Sequence, residues 1–540
     1  MKKLLLALAL VGLVATPAFA QSATGAIVGR VTDPDGAALP GVMVNAANTA
    51  TGLSRTAVTT ADGSYRIAAL PAGSYDVKAQ ISGFSTYTQE GVVVNVATER
   101  TVDIALKLAS VEETITVVDE APLLATSAAV GTVISQAELE TLPLNGRQFA
   151  NLAVLAPGTT LGYNSDPTKP DQLIVALNGG IGRNVNYVMD GGDNTDDTIG
   201  GALQNFSLES VQEFKIQTMQ YKAEYGRSSG GVLTVVTKSG TNELSGSAYG
   251  FFRDDSLNTK TETETRAGAD KQPYERTQYG LSLGGPIVRD KAHFFATYEK
   301  TDRETSYTVN TDGAFPTFDG LSVALPFNDE LISVKGTLDL NARQLLSVRY
   351  GYQKNDGKYG ASALAAPDAL GTLTNEYESI LASHTAQIGS DKLNEFVFQY
   401  TTFDNIITAD SNDASVTYPS GFTTGQNINT PQSTEQVKYQ YKNDFSWTST
   451  LGGRRHDFKT GAQFIHEPTL GGDFSTGLTG QFTALNDSLG SPITQIQING
   501  GFFGNSTPID QYSAYVQDDI YWNDRLTINI GVRYDWQFWR

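Results

Sequence analysis

No cysteine occurs anywhere in the 540 residues. An exported chain without cysteine has no disulfide framework, so its stability comes from packing and sheet closure. The same absence excludes a thiolate metal site and a cysteine nucleophile. Histidine is scarce, with only His293, His384, His456 and His466, and no zinc-peptidase pairing among them. No Gly-x-x-x-x-Gly-Lys-Ser/Thr phosphate loop occurs. An excess of basic residues is lacking as well. The 58 Asp and Glu against 38 Lys and Arg argue against a nucleic-acid partner, which needs a basic face. Long apolar runs are missing except for one, Leu4–Ala15, which follows Lys2 and Lys3 and precedes Ala18-Phe19-Ala20. That three-part pattern is a secretory signal peptide over residues 1–20, too short for a spanning helix, with the mature chain starting near Gln21. No catalytic site, metal or cofactor is expected.

What the chain does have is turn-punctuated β pattern and aromatic residues. Tyr and Phe each number 24 at a modest 40% hydrophobic content. This suits a transmembrane barrel, where every second residue faces lipid and aromatic girdles mark the interfaces.

Residues 21–108 read as about seven short strands, at Ala26–Thr32, Val42–Ala46, Arg55–Thr59, Tyr65–Ile67, Tyr75–Ile81, Val92–Val96 and Thr101–Leu106. They are separated by turn signals such as Asp35-Gly36, Pro40-Gly41 and Asp62-Gly63, which suggests a small β-sandwich. Gly29-Arg30-Val31-Thr32-Asp33, Thr59–Tyr65, Leu70–Tyr75 and Gly83-Phe84 follow in order. This segment resembles the carboxypeptidase-regulatory-like domain. The resemblance implies a transthyretin-like (Ig-like) sandwich related to some carbohydrate-binding modules, acting as a spacer or as a ligand-binding unit. No histidine falls in it, so peptidase activity is not implied.

Residues 109–121 form a linker that holds a β-prone pentad, Glu113-Thr114-Ile115-Thr116-Val117, flanked by acidic residues and closed by Pro122. Two readings stand: a last edge strand of the sandwich, or a mobile segment that adds as a strand to a partner protein.

Residues 122–241 mix helix and strand. Ser135 with Glu138 three residues on is a capping box opening a helix to Thr141, and Phe149–Leu155 reads as a second helix. Strands are expected at Ile174–Asn178, Asn186–Met189, Val211–Gln217 and Val232–Thr237. The run Asp190–Asp197 carries four aspartates without EF-hand spacing or its terminal glutamate, and is read as a solvated turn. Leu142–Arg147, Val188–Gly191, Glu213-Phe214 and the glycine-rich Ala223–Asn242 occur in that order. Together they resemble the plug of TonB-dependent outer-membrane receptors, specifically the Oar-like branch with an N-terminal regulatory-like domain. That resemblance makes Glu113–Val117 a TonB box for an inner-membrane energy transducer. It gives Arg147 and Arg227 the task of anchoring the plug to acidic groups on the barrel wall, since a buried arginine needs a carboxylate.

Between residues 242 and 540, runs of alternating apolar and polar residues recur. Leu346, Val348, Tyr350 and Tyr352 alternate with Ser347, Arg349, Gly351 and Gln353; Val437, Tyr439, Tyr441, Phe445 and Trp447 lie opposite Lys438, Gln440, Lys442, Asp444 and Ser446; Leu526–Gln537 repeats the pattern. Runs of roughly ten such residues suit tilted membrane strands. Tight turns near residues 289, 342, 391, 453 and 524 alternate with long polar connections at 254–276, 302–329, 355–373, 404–433 and 467–508, as short periplasmic turns and long extracellular loops do.

The expected fold is therefore mainly β: an N-terminal sandwich, a mixed α/β plug and a partial antiparallel transmembrane β-barrel. About eleven strands are countable where plugged transporters use about 22, so the sequence reads as a fragment of a longer receptor. The expected function is import of a scarce solute, oligosaccharide or peptide across the outer membrane. The expected partners are membrane lipid and the transducer. The rival is a surface carbohydrate-binding or adhesion protein anchored by the barrel.

Overall fold

The computed structural model describes residues 24–108, 115–117, 129–162, 166–260, 262–267, 270–389, 391–474, 480–498, 504–523 and 526–540. The signal peptide, Glu113 and Thr114 lie outside the described residues.

The N-terminal segment is the expected sandwich. One sheet pairs Gly25–Thr32 with Ser64–Leu70, Glu99–Thr101 and Ile104–Ala105; the other runs Ser54–Val58, Met43–Asn48, Gly73–Gln80, Tyr87–Val94 and Ile115–Val117. Inward residues alternate along each strand, so Ile27, Val44, Val77, Ile67 and Tyr75 meet in one core, as the two-residue period of a strand requires. The last strand expected, Thr101–Leu106, is broken into two short pieces.

The plug is built on a five-stranded sheet in the order Val130–Ile134, Val211–Met219, Gly231–Thr237, Val185–Met189, Gly192–Asp193. Gly231–Thr237 is buried throughout, because it is central and pairs on both edges. The helix Gln136–Thr141 forms with its capping box complete: Ser135 N–H donates to Glu138 and Glu138 N–H to the Ser135 hydroxyl. The expected second short helix forms over Phe149–Leu155, as a 3-10 helix. Its seven residues bury Phe149, Ala150, Leu152 and Ala153, and a segment that short is set by where its side chains dock. The strands Val130–Ile134 and Thr159–Leu161 carry too weak a pattern to have been expected.

The barrel portion is one antiparallel sheet. Its eleven long strands are, in order, Ser245–Asp254, Glu275–Val288, Ala292–Thr308, Ser322–Asn341, Gln344–Tyr359, Gly371–Ile388, Lys392–Ala409, Gln432–Leu451, Arg454–Asp473, Ile509–Asn523 and Leu526–Trp539. The short strand Gly504–Ser506 adds beside the ninth. Each strand pairs with its sequence neighbour, so the expected count and order hold. The strands are longer than expected: the fourth, eighth and ninth have 20 residues each, against roughly 9–11 needed to cross. The loops shrink accordingly, to 309–321 and 360–370 for example. Both faces turn polar where a strand leaves the bilayer, as at Asp302-Arg303-Glu304, and this hides the continuation from a periodicity reading.

The outer face is apolar and aromatic. Val348, Val516, Ile530, Val532 and Trp536 are exposed, and rings pair across strands, with Trp447–Phe458 centroids 5.0 Å apart and Phe464–Tyr512 4.8 Å apart. The opposite residues of the same strands are buried against the plug, among them Arg349 at 1% exposure and Lys438 at 2%.

The sandwich is seated against the rim of short turns. Arg55 Nη1 donates to the Ala342 carbonyl at 2.7 Å, Asn242 N–H to the Ala50 carbonyl at 2.9 Å and Gln387 Nε2 to the Thr56 carbonyl at 3.1 Å. It also touches the plug: Val96 N–H donates to the buried Glu213 carboxylate and Lys215 Nζ to the Ala97 carbonyl at 2.6 Å. Burial pushes the Glu213 carboxyl up to about 7, against the opposing pull of the Val96 N–H and Lys215. A carboxyl raised on folding binds its proton more readily in the folded state. Stability should therefore fall as pH rises between the ordinary value of 4.5 and about 7. The expected loss is on the order of 3 kcal/mol, and Glu213→Gln should flatten it, as read from denaturant midpoints measured at pH 4.5 to 7.5.

Candidate functional site

The candidate functional site is the seam between plug and barrel wall. Its centre is the aspartate run Asp190–Asp197, which the sequence presents as a solvated turn. The structure corrects that reading: Asp190, Asp193 and Asp196 are all buried. The turn itself is local chemistry. Asp190 at φ +50° and Gly191 at φ +88° reverse the chain between the strand Val185–Met189 and Gly192–Asp193, and positive φ at both central positions is what a tight hairpin of this hand needs. The burial comes from elsewhere. Gly192 lies so close to the sixth and seventh strands that a side chain there would collide with Leu381 and Gln399, so the turn is pressed against the barrel wall.

Each carboxylate meets cations from distant parts of the chain. Asp190 accepts Thr237 N–H at 2.9 Å and the Thr237 hydroxyl at 2.6 Å, both from the plug's central strand. From the barrel it takes Lys335 Nζ at 3.1 Å and Arg349 Nη1 at 2.8 Å. Burial pushes the Asp190 carboxyl up, but Lys335, Arg349 and the two Thr237 hydrogen bonds outweigh it and hold the group at about 2. Asp193 pairs with Arg227 and with Lys438 Nζ at 3.1 Å, and Asp197 with Arg227 and with Lys438 Nζ at 2.5 Å. Asp196 pairs with Lys169 and accepts Gln172 Nε2 at 2.9 Å. Barrel amides complete the seam: Asp193 N–H donates to Gln440 Oε1 at 2.8 Å, and Gln399 Nε2 donates to the Asp193 carbonyl at 2.8 Å.

The glycine-rich run before the plug's central strand makes a second seam with the last strands. Glu224 pairs with Lys459 at 2.6 Å and Lys222 with Asp519 at 2.5 Å, while Gln517 Oε1 accepts Glu224 N–H at 3.0 Å. Beyond it, Gly240 sits where a Cβ would lie 2.1 Å from the Phe294 carbonyl oxygen and 2.7 Å from that of Gly285. Backbone cannot yield there as a side chain would, so only glycine lets the chain pass from plug to first strand at that point.

Arg147 and Arg227 are both at the plug surface, but their carboxylate partners differ from the expectation. Arg227 is clamped by Asp193 and Asp197 of the plug itself. The barrel supplies the cation Lys438 to the same cluster, and its acid Glu467 is 3.9 Å from Lys438 Nζ. Arg147 pairs with Glu209 of the plug at 2.8 Å, and its guanidinium lies 4.5 Å over the Tyr249 ring and 4.6 Å over Phe251, both on the first barrel strand. The physical reason is that at these two arginines the plug brings its own acids, and the wall adds a cation at one and rings at the other. Sequence reasoning missed Asp190, Lys335, Arg349 and Lys438. The signal was present in part, because all three cations fall on the polar face of alternating strands.

Ile115–Val117 of the expected docking pentad forms a short strand parallel to Tyr87–Gln89, at the edge of the sandwich's larger sheet. Among the described residues, no group of three or more His, Cys, Asp or Glu is arranged to hold a metal ion.

A folded plug packed on the inner face of an antiparallel sheet, with lipid-type residues outside, defines an outer-membrane β-barrel protein. The chain belongs to the outer membrane beta barrel domain family, which matches residues 236–322 and 317–540; residues 26–107 match the carboxypeptidase regulatory-like domain. It is homologous to the TonB-dependent transporter Oar of Myxococcus xanthus, with 30% identity over 295 residues, 52% of this chain and 27% of that protein. The outer membrane transporter YddB from Escherichia coli shares the fold at a TM-score of 0.59 and 15% identity, over 76% of this chain and 56% of that one. So does the siderophore receptor PirA from Acinetobacter baumannii, at a TM-score of 0.53, 15% identity, 76% and 56%. The chain thus spans about a quarter of the length of its curated relative and just over half that of these solved structures.

Proposed function

We propose that this protein is a TonB-dependent receptor that imports a scarce solute through the outer membrane without chemically altering it. An inner-membrane transducer would pair with Glu113–Val117 and pull on the plug. The observation that carries the reading is the chemistry of the plug seam. The plug's own strands close over a large apolar core, whereas its contact with the wall is mostly ion pairs and amide hydrogen bonds, with one small apolar cluster where Leu203 meets Tyr377 and Phe403. Water can replace polar contacts of that kind when the plug shifts, at far smaller net cost than exposing apolar surface. A plug held this way can be displaced and reseated.

The state of Ile115–Val117 supports the same reading. Three residues paired in parallel at a sheet edge are weakly held, and main-chain pairing at an edge is the mode by which a partner strand would replace them. The adhesion alternative finds less support. The sandwich sits at the rim of short turns, and in such barrels the long loops are the extracellular ones.

The test uses cells carrying the intact receptor and labelled ferric citrate, cobalamin, maltodextrin and tripeptide. One tracer should accumulate only with a proton-motive force and an intact Glu113–Val117, and Thr116→Pro should abolish that accumulation. Uptake indifferent to both would remove the proposal. These 540 residues hold no cysteine, so Ile115→Cys adds the one capture site within them for disulfide trapping of the transducer.

A further inference from the structure

The tight turns of the barrel repeat one short pattern. A large apolar residue stands at or next to the end of the descending strand, and a cation follows three or four residues on: Val288 and Lys291, Leu340 and Arg343, Ile388 and Lys392, Leu451 and Arg454. In the sequence the next turn repeats it with Trp522 and Arg525. Val288, Leu340, Ile388 and Leu451 are all exposed, as is Trp522. They continue the apolar outer face down to the rim. Lys291, Arg343 and Lys392 are exposed and Arg454 half-buried, although the sandwich is seated on the same rim. None of these four, nor Arg289 beside Lys291, makes an ion pair among the described residues.

The charge of this rim is opposite to that of the chain. Arg289, Lys291, Arg343, Lys392 and Arg454 stand there against Asp290 and Asp391, in a sequence whose net charge is −20. Asp290 is already engaged by Asn242 Nδ2 at 2.6 Å. Aromatic rings accompany the cations. The Arg454 guanidinium lies 3.8 Å over the Trp522 ring, and Lys392 is directly opposite Trp447 on the neighbouring strand. Tryptophan and long cationic side chains meet at the headgroup level of a bilayer, because each has an apolar body and a polar tip. The far boundary of the same outer face has no such surplus. There Lys300 is opposite Glu330 and Lys354 opposite Glu376, and Asp404 and Glu435 extend the row with acid alone.

We propose that the turn rim is a collar that binds anionic phospholipid of the periplasmic leaflet, with Arg343, Lys392 and Arg454 as the principal donors to the lipid phosphate. The inference rests on the barrel itself and is independent of import, since short turns are the periplasmic ones. The occupant has to offer an anion and acyl chains at one level, because each cation stands beside an exposed apolar side chain. A phospholipid offers both, whereas an acidic protein surface offers only the first. The lipid has to be net anionic. A zwitterionic headgroup brings its own ammonium, which the unpaired cations of the collar repel, while a phosphatidylglycerol leaves its phosphate charge for them. Cations at successive turns would fix the depth of the rim, and with it the level at which the sandwich sits.

The test reconstitutes the intact receptor in phosphatidylcholine vesicles. Electron spin resonance then compares the association of spin-labelled phosphatidylglycerol with that of spin-labelled phosphatidylcholine. At low salt the wild type should prefer the anionic label by at least about threefold, and the preference should fall toward one as salt rises. A variant combining Arg343→Gln, Lys392→Gln and Arg454→Gln should lose most of it, since each cation near an anionic surface is worth a factor of about five. Lys354→Gln, at the far boundary, should keep the full preference. Inorganic phosphate, at the ionic strength of a chloride control, should displace no label, because it brings no acyl chain. If the triple variant fails to insert, Arg343→Gln alone should show a smaller loss in the same direction. The collar is overturned by an absent preference or by one that the inserted variants keep. An equal loss in Lys354→Gln would make the effect one of general charge, and displacement by phosphate would make the rim a site for the free ion; either result also overturns it.

Discussion

Asp190→Ala is expected to destabilise the plug within the barrel by about 3–5 kcal/mol, the usual cost of leaving a buried charge without its partner. The carboxylate joins Lys335 and Arg349 of the wall to the Thr237 amide and hydroxyl of the plug. Its removal strands two cations whose side chains are 9% and 1% exposed, and it leaves the Thr237 N–H unsatisfied. Part of the loss should be recoverable. In Asp190→Ala with Lys335→Met and Arg349→Met, no buried charge is left without an opposite, and apolar replacement of a whole buried ion cluster is often close to neutral. Hydrogen exchange of the Gly231–Thr237 amides reads the plug's opening directly. Single-channel conductance reports whether the loosened plug lets ions through. If the single and triple variants exchanged alike, the ion cluster would not be what holds the plug.

Arg227→Met should cost a similar amount, about 3–5 kcal/mol, and should change the acid-side pH dependence through Asp197. Arg227 is the largest single reason that Asp197 stays below the usual carboxylate range despite burial, with Lys438 second. A carboxyl depressed on folding contributes stability above its unfolded value and loses it as pH falls through the folded one. Wild type should therefore lose stability on acidification. In Arg227→Met the Asp197 carboxyl rises, so the acid-side loss should shrink, because protonation then relieves a repulsion between Asp193 and Asp197 that Lys438 alone must offset. Denaturant midpoints between pH 3 and 7 for both proteins give the two slopes. Equal slopes would mean that Arg227 does not set the charge state of Asp197.

Much of this architecture was readable in the sequence because strands carry a two-residue period. Lys438, Gln440, Lys442 and Asp444 had to face one way if Tyr439 and Tyr441 faced lipid, and they are the residues buried against the plug. The Ser135–Glu138 capping box was equally local and formed as written. Phe149–Leu155 was legible as a short helix but not as a 3-10 one, because a seven-residue segment has too little helical energy of its own to choose between α and 3-10. The strand ends were misread because periodicity fades where both faces are wet.

The aspartate run marks the boundary most clearly. By itself, the sequence determined that residues 190–197 make a tight turn, since the positive-φ backbone that Asp190-Gly191 adopts is a local preference. It also determined that a sandwich, a plug and about eleven barrel strands follow one another, because hydrophobic period and turn residues are local quantities. Only the tertiary structure decided that the turn is buried and charged against Lys335, Arg349 and Lys438, and that Arg147 and Arg227 answer to plug acids. Those outcomes depend on which distant strands meet in space. A salt bridge between residues 159 apart, as for Asp190 and Arg349, leaves no mark in the sequence surrounding either one.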